Sequence, residues 1–401
     1  MVIRKMTPED RIQYMGICST VFLSMDRVDT RAQLKDPQAH KKEDDGNDYW
    51  GAFDAKGKMH SAMSVIHYNM LMNGNVVKMG GISGVVTRPE SRGQGLIRKI
   101  FDVAFPAMLE NGQTFSYLYP FSYGYYRKFG YEICNTSNNV NIPIAEMQGY
   151  SYPKTIEPFE PGDDVAPYAE IYEEFTRDRN LAIVRNKDAW KRMLDRDPYK
   201  NLQFTFLNRD ADGKGDAYIL YETYKASGDG NRLKVKELCW RTLEGLHSIW
   251  GFLARLGAEC ESVEWNAPYD VNVHALFPEA YNVSWKKGAG GMNCILDVSA
   301  GLSTLRAPNG NGQLTFDIVD NYQKANSGIY TIQWESGNIT ACKTTESNIA
   351  MATDVQTLAQ LVTGYLSPEE AALKKSTTVY NSHLQLCQLF PKQKLHMTEG
   401  F

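Results

Sequence analysis

Val85-Val86-Thr87-Arg88-Pro89-Glu90-Ser91-Arg92-Gly93-Gln94-Gly95-Leu96 is the stretch that decides how this chain is read. It describes a strand that stops at a proline, a short Arg/Gly loop, and the start of a helix. Glycine lets a backbone approach a ligand closely and adopt φ/ψ values closed to other residues. The first N–H groups of a helix have no internal partners and carry the positive end of its dipole. Loop and helix start together form a socket for a pyrophosphate. Arg92 adds a fixed charge and several donors for the same anion.

Three phosphate-binding designs compete for this loop. A P-loop needs Gly-x-x-x-x-Gly-Lys-Ser/Thr, and no Lys-Ser/Thr pair stands in place. A dinucleotide fingerprint needs Gly-x-Gly-x-x-Gly, but Arg98 occupies the third glycine position. The third design is Arg-x-x-Gly-x-Gly/Ala after a Val-x-Val strand end. The context favours it. Ile97, Phe101, Ala104, Phe105 and Met108 recur at helical spacing, and Asn111-Gly112 supplies a stop. Thr114 to Tyr119 then reads as a buried strand.

A second signature follows in Tyr126-Arg127-Lys128-Phe129-Gly130-Tyr131, within an aromatic segment that starts at Pro120. It reads as a short helix closed by Gly130. With both segments in hand, Arg92-Gly93-Gln94-Gly95-Leu96-Ile97 resembles the acyl-CoA loop of the Gcn5-related N-acetyltransferases (GNAT). Tyr126 to Tyr131 is similar to the segment that lies beside the thioester in that superfamily. Over essentially all 401 residues the chain resembles the Eis (enhanced intracellular survival) family.

The resemblance implies a mixed α/β (α+β) fold: tandem GNAT-like folds and then a sterol-carrier-protein-like α+β domain. Residues 1–148 would be the catalytic GNAT domain. Residues 149–287 would be a second GNAT-like domain, in which no Arg-x-x-Gly-x-Gly loop occurs. Residues 288–401 would be the third domain, with Met292 to Val298 as its first strand. The implied co-substrate is acetyl-CoA, with no metal. Val85, Val86, Thr87, Arg92, Gly93, Gln94, Gly95, Leu96, Ile97, Arg98, Phe121 and Ser122 are expected to hold it. Tyr126 is the expected proton donor to the departing thiolate, since a phenol of pKa ~10 and a thiol of ~8.5 are near enough to exchange a proton. The terminal carboxylate, here that of Phe401, is the expected proton acceptor, and Asp26 is a weak candidate for contact with the acceptor. The implied acceptors are primary amines of aminoglycosides, polyamines or lysine side chains. The resemblance also implies a hexamer.

Composition bounds the alternatives. With 43% hydrophobic and 22% charged residues the chain is globular, and its length calls for two or three domains. A net charge of −4 and the lack of a basic block argue against nucleic-acid binding. Seven widely spaced cysteines without a Cys-x-x-Cys argue against a disulfide framework or zinc ribbon. Reduced thiols, with no leader-like or membrane-spanning run, lead to the expectation of a cytoplasmic protein. The scattered histidines form no metal-ligand pattern. Two other readings stay open from sequence: a non-enzymatic acyl-CoA- or lipid-binding protein, and an aminoacyl or long-chain acyl transferase built on the same folds.

Overall fold

In the computed structural model, residues 1–22, 45–152, 155–225 and 230–401 are described, and every structural statement below concerns these residues. The first unit contains β1 (Val2–Lys5), α1 (Arg11–Val21), β2 (Asp48–Phe53), β3 (Met59–Met72), β4 (Asn75–Thr87), α2 (Leu96–Glu110), β5 (Phe115–Leu118), α3 (Tyr123–Tyr126) and β6 (Glu132–Ile133). The second contains β7 (Thr136–Pro143), β8 (Ile156–Pro158), α4 (Ala166–Thr176), β9 (Arg179–Asn180), α5 (Lys187–Leu194), α6 (Pro198–Asn201), β10 (Gln203–Arg209), β11 (Gly215–Lys225), β12 (Asn231–Trp240), α7 (Leu243–Ala254), β13 (Cys260–Asn266) and β14 (Ser284–Ala289). Then come β15 (Met292–Ile295), α8 (Val298–Leu302), β16 (Gly312–Val319), β17 (Gly328–Glu335), β18 (Asn338–Thr344), β19 (Met351–Asp354), α9 (Val355–Val362), α10 (Pro368–Ala371), β20 (Thr378–Val379), α11 (His383–Leu389) and β21 (Lys394–Leu395). No described helix is long and apolar enough to cross a membrane.

Two sheets of seven strands run β1-β2-β3-β4-β5-β15-β6 and β14-β7-β13-β12-β11-β10-β8, and a third of five runs β18-β17-β16-β19-β20. From sequence, residues 136–143 fall in the first unit and Met292 to Val298 in the third, but β7 (Thr136–Pro143) pairs with β13 and β14 in the second sheet. The structure instead places β15 in the first sheet, antiparallel to β5 and β6. Four consecutive apolar and polar positions buried on both faces suit a central strand, and this is where Met292–Ile295 goes. Sequence order therefore does not equal spatial order at that boundary, because pattern alone does not say which sheet a strand joins.

In both large sheets a parallel strand pair is joined through a helix, β4-α2-β5 and β12-α7-β13. α2 presents Ile97, Ile100, Phe101, Ala104, Phe105 and Met108 to the first sheet, all buried. The β3–β4 hairpin overshoots its own domain. Met70, Met72 and Met79 sit in one core with Phe316, Ile318, Ile332, Trp334, Leu358 and Phe390 of the third domain. At its tip Asn73 takes a left-handed φ of 53°, as the Asn-Gly turn requires. The Asn73 amide donates to Asn180 Oδ1 at 2.6 Å, its side-chain amide donates to the Val362 carbonyl at 3.1 Å, and Asn180 donates to the Thr363 carbonyl at 2.9 Å. One buried polar node thus joins all three units.

A second node fixes the C-terminal tail. Arg185 is buried and donates to both carboxylate oxygens of buried Glu237, at 2.7 and 2.5 Å. It also donates to the Glu399 carboxylate. Its guanidinium packs on the Tyr172 and Trp190 rings, 4.1 and 4.7 Å from their centroids. The Thr398 and Tyr218 hydroxyls donate to the same Glu237, at 2.8 and 2.5 Å. Burial raises the Glu237 pKa, but the charge and hydrogen bonds of Arg185 outweigh it and bring the carboxyl down to about 2.

Glu237→Gln leaves Arg185 short of its main partner, so it is expected to lose about 3–5 kcal/mol in denaturant unfolding at pH 7. A carboxyl depressed in the folded state stabilises above its unfolded pKa, ~4.3, and this contribution is lost as pH falls toward about 2. The wild-type advantage over Glu237→Gln should therefore shrink across that window. His396 supplies a second pH signal. Burial, with the Arg185 and Arg179 charges, lowers it to about 4 against the pull of Glu237. Stability should fall from pH ~6.5 toward 4, where only the unfolded chain binds this proton. His396→Phe, next to the Tyr172 and Phe175 rings, should flatten that slope in urea titrations taken across this range.

Candidate functional site

The parallel pairing of β4 with β5 stops at Ile82–Leu118. Strand β4 runs on to Thr87 beside β3 alone, so its backbone on the β5 side is open. Within this free stretch the register shifts between Ala62 and Ser64: Ser83 and Val86 face them, with two residues opposite one. That is a β-bulge, which re-aims backbone groups and is common beside active sites. Gly84 makes it, with φ of 56°. A Cβ there would lie 1.5 Å from the Tyr14 hydroxyl, which donates to the Gly84 carbonyl at 3.3 Å.

Beyond the bulge a cavity of about 720 Å³ opens, lined by Val85, Thr87, Ser91, Arg92, Gly93, Gln94, Gly95, Leu96, Ile97, Phe121 and Tyr125, with Val21 and Phe22. Gly93 and Gly95 have φ of 77° and 68°. Both face open space, so conformation rather than crowding demands glycine here. Gly95 caps α2, whose Lys99 amide is the first to bond back, to the Gly95 carbonyl at 3.2 Å. The amides of Leu96, Ile97 and Arg98 are left for a ligand, with the dipole behind them. The loop is held from below. Arg88 donates to the Met59 carbonyl at 2.6 Å, and His60 Nδ1 lies 2.8 Å from the Ser91 hydroxyl.

Most residues expected to hold the co-substrate are brought together here, but three are not on the cavity wall. Val86 is buried against α1. Ser122 caps α3, accepting from the Tyr125 amide. The Arg98 guanidinium lies over the Phe129 and Tyr322 rings, 5.4 and 5.2 Å from the centroids, which leaves its backbone amide for the site. Val21, Phe22, Ser91 and Tyr125 also line the cavity and are not among the expected residues. Nothing in a helix end such as Val21-Phe22 signals that it will meet a loop 70 residues later.

The corresponding place in the second sheet is closed. The α7 N-terminus is capped by its own Thr242, whose hydroxyl accepts from the Gly245 amide at 3.0 Å and lies 2.8 Å from Asp216 Oδ2. The Asp216 carboxylate supports this cap and puts a negative charge beside the α7 N-terminus.

Tyr126 is buried, its ring packed against Phe121, Tyr125 and Tyr131. Burial, then the Tyr125 phenol, hold its pKa above the usual tyrosine range. Tyr125 and Phe121, rather than Tyr126, form the cavity wall. The Phe401 ring lies at the apex where β4 and β5 part. It rests on Gly81, where a Cβ would stand 2.9 Å from its edge, and its centroid is 5.4, 5.5 and 6.2 Å from those of Tyr68, Tyr119 and Tyr117. The Tyr119 hydroxyl donates to the Glu399 carbonyl at 2.8 Å, holding the tail from a second side. Asp26 lies outside the described residues.

A second cavity, about 550 Å³, adjoins the tail. It is lined by His67, Tyr68, Asn69, Arg185, Arg192, Arg196, Lys236, Glu237, Thr398, Glu399 and Gly400, among others. Glu399, which sequence reading passed over, gives one oxygen to Arg185, while its Oε2 is buried without a hydrogen-bond partner among the described residues. Burial above all, then the Glu237 charge, raise its pKa against the pull of Arg185.

Comparison with known proteins agrees with this geometry. An acetyltransferase (GNAT) domain family matches residues 2–134, a second acetyltransferase (GNAT) domain family matches residues 181–289, and a sterol carrier protein domain family matches residues 298–398. No functionally curated protein matches the chain. Among solved structures, a GCN5-related N-acetyltransferase from Anabaena variabilis is 20% identical, with a TM-score of 0.85 over 100% of both chains. A "Probable N-Acyltransferase" from Enterococcus faecalis is 20% identical, TM-score 0.82, over 98% of this chain and 97% of that one. Eis1 from Mycobacterium abscessus is 14% identical, TM-score 0.79, over 100% of both. At such identities the likeness is one of fold. The two GNAT domains, the single open anion socket and the sterol carrier domain together make the chain an acyltransferase of the GNAT superfamily, with the three-domain, Eis-like build.

Proposed function

We propose that this protein transfers the acetyl group of acetyl-CoA to a primary amine by direct attack. The observation that carries the reading is the open bulged end of β4, continuous with an unoccluded helix N-terminus that follows two positive-φ glycines. The amides of Leu96, Ile97 and Arg98, with Arg92, would bind the pyrophosphate of CoA. The free backbone of Val85 to Thr87 would hold the pantetheine arm and polarise the thioester carbonyl. The amine nitrogen forms the new C–N bond, the C–S bond breaks, and CoA leaves as a thiolate.

Tyr126 is the proposed donor to that sulfur. Burial keeps the phenol protonated, which a donor requires, yet also makes it a weaker acid. The same apolar surroundings disfavour the thiolate, so the proton's direction depends on the difference between the two. The Phe401 carboxylate is the proposed acceptor of the amine proton. Its support is the docking of the terminal ring and of Glu399, since a tail is ordinarily loose unless tied down. The acceptor belongs to the small-molecule or peptide amines, among which aminoglycosides, polyamines and lysine side chains are the first to test. We place the reaction in the cytoplasm, on the basis of seven cysteines that are all free.

A ligand-carrying role for the third domain has less support. Its sheet face is filled by Leu314, Phe316, Ile318, Tyr330, Ile332 and Trp334, packed in one core with Val355, Leu358 and Leu361.

CoA-thiol release from acetyl-CoA across an amine panel tests the reading. One glycine added after Phe401 carries the carboxylate about 3.8 Å onward. It should lower kcat about 10²–10⁴-fold while acetyl-CoA affinity holds. Equal turnover in both chains would remove Phe401 from the mechanism and leave the transferase. Tyr126→Phe should lower kcat by a similar factor at unchanged acetyl-CoA affinity. Wild-type activity should also persist to pH ~10, where an unburied phenol ionises. Loss explained wholly by weaker CoA binding would refute the donor role.

A further inference from the structure

The cavity beside the C-terminal tail has a charge pattern that acetyl transfer alone does not require. Its volume, about 550 Å³, suits a small molecule. Glu399 supplies an acidic point, with one carboxylate oxygen buried and unpartnered among the described residues. It stands two residues from the Phe401 carboxylate, where the reacting amine is placed. The charged lining as a whole is mostly cationic: Arg185, Arg192, Arg196 and Lys236 against Glu237 and Glu399.

Two of these cations are already used. Arg185 is bound to Glu237 and Glu399, and Lys236 lies 3.2 Å from Glu222. Arg192 and Arg196 form no ion pair or hydrogen bond with any described residue. Arg192 lies in the last turn of α5 and Arg196 just beyond its C-cap Asp195, and both line the cavity. The Tyr68 phenol is within electrostatic reach of both Arg192 and Glu399, and its ring packs on Phe401. Free guanidinium groups and an acidic point therefore bracket one small space beside the tail. A purely cationic amine would be attracted by Glu399 and repelled by the two arginines. An amine with a negative group of its own would satisfy both.

We propose that the acceptor is an amine bearing a carboxylate or a phosphate, held by Arg192 and Arg196 with its nitrogen toward Glu399 and Phe401. This rests on the acetyl-transfer reading and names its substrate class. Guanidinium suits the task because it binds either anion through paired, charge-assisted hydrogen bonds.

The test is initial rates at saturating acetyl-CoA on matched amines: cadaverine and lysine, tyramine and tyrosine, ethanolamine and phosphoethanolamine. The anionic member should have a kcat/KM at least about tenfold higher, with the effect carried by KM. The first two pairs report on a carboxylate and the third on a phosphate. In Arg192→Gln and Arg196→Gln that advantage should shrink about tenfold, while Lys191→Gln, an equal charge change outside the cavity, should preserve it. A plain amine used as well as its anionic partner, or an advantage untouched by both arginine variants, overturns this inference and leaves the acetyltransferase standing. No transfer to any amine, although acetyl-CoA binds, overturns both.

Discussion

The arrangement of the site depends on one buried ion pair. Arg185 and Glu237 come from the second unit, and Glu399 from the far end of the chain. Isolated in a low-dielectric interior, each of these groups would be too costly to ionise. Together they are tolerated because the guanidinium is saturated by two carboxylates and stacked between two rings, while Glu237 also receives two hydroxyl donors. A buried pair of this kind adds little net stability compared with well-packed apolar residues, but it is demanding about geometry. Here that demand fixes the last residues of the chain. The tail has a single place in which Glu399 meets Arg185, and that place sets the Phe401 ring on Gly81 where β4 and β5 part. The face of the first domain at which β4 and β5 part is therefore completed by groups from the other two.

The same logic separates the two GNAT domains. Both contain a parallel strand pair bridged by a helix. In the first, positive-φ glycines lead into α2 and leave its leading amides free. In the second, Thr242, itself held by Asp216, caps the α7 N-terminus from within. A few loop residues decide whether a helix end is a binding site or a structural joint, and the backbone fold is indifferent to the choice.

This explains what could be read from the sequence. The anion socket was legible because glycine, arginine and helix periodicity are local signals within one short segment, and Val85, Thr87, Arg92 to Ile97 and Phe121 do converge on one cavity. The hairpin tip at Asn73-Gly74 was legible for the same reason. The placement of β15 in the first sheet was not, since strand pairing is a long-range choice that the alternation pattern does not encode. Nor was the role of Glu399. A glutamate in a polar tail looks solvated, and only the buried Arg185, 214 residues earlier, makes it otherwise. The direction of Arg98 was also hidden, because the rings that draw it away include Tyr322 from the third domain.

Net charge is a poor guide to what the site accepts. The chain carries −4 overall, which favours a cationic ligand in the far field. Such a preference is screened beyond roughly 8 Å at physiological salt, so selection belongs to the groups lining the cavity. There, among the described residues, Arg192 and Arg196 have no ion-pair partner, while Glu399 on the tail gives one oxygen to Arg185 and keeps the other unpartnered. Long-range attraction and local fit thus point to different ligands, and the local terms are the larger because they act at contact distance and with less water between. An amine drawn in by the acidic surface and retained by the arginines would need charges of both signs, which is the composition the cavity's own lining describes.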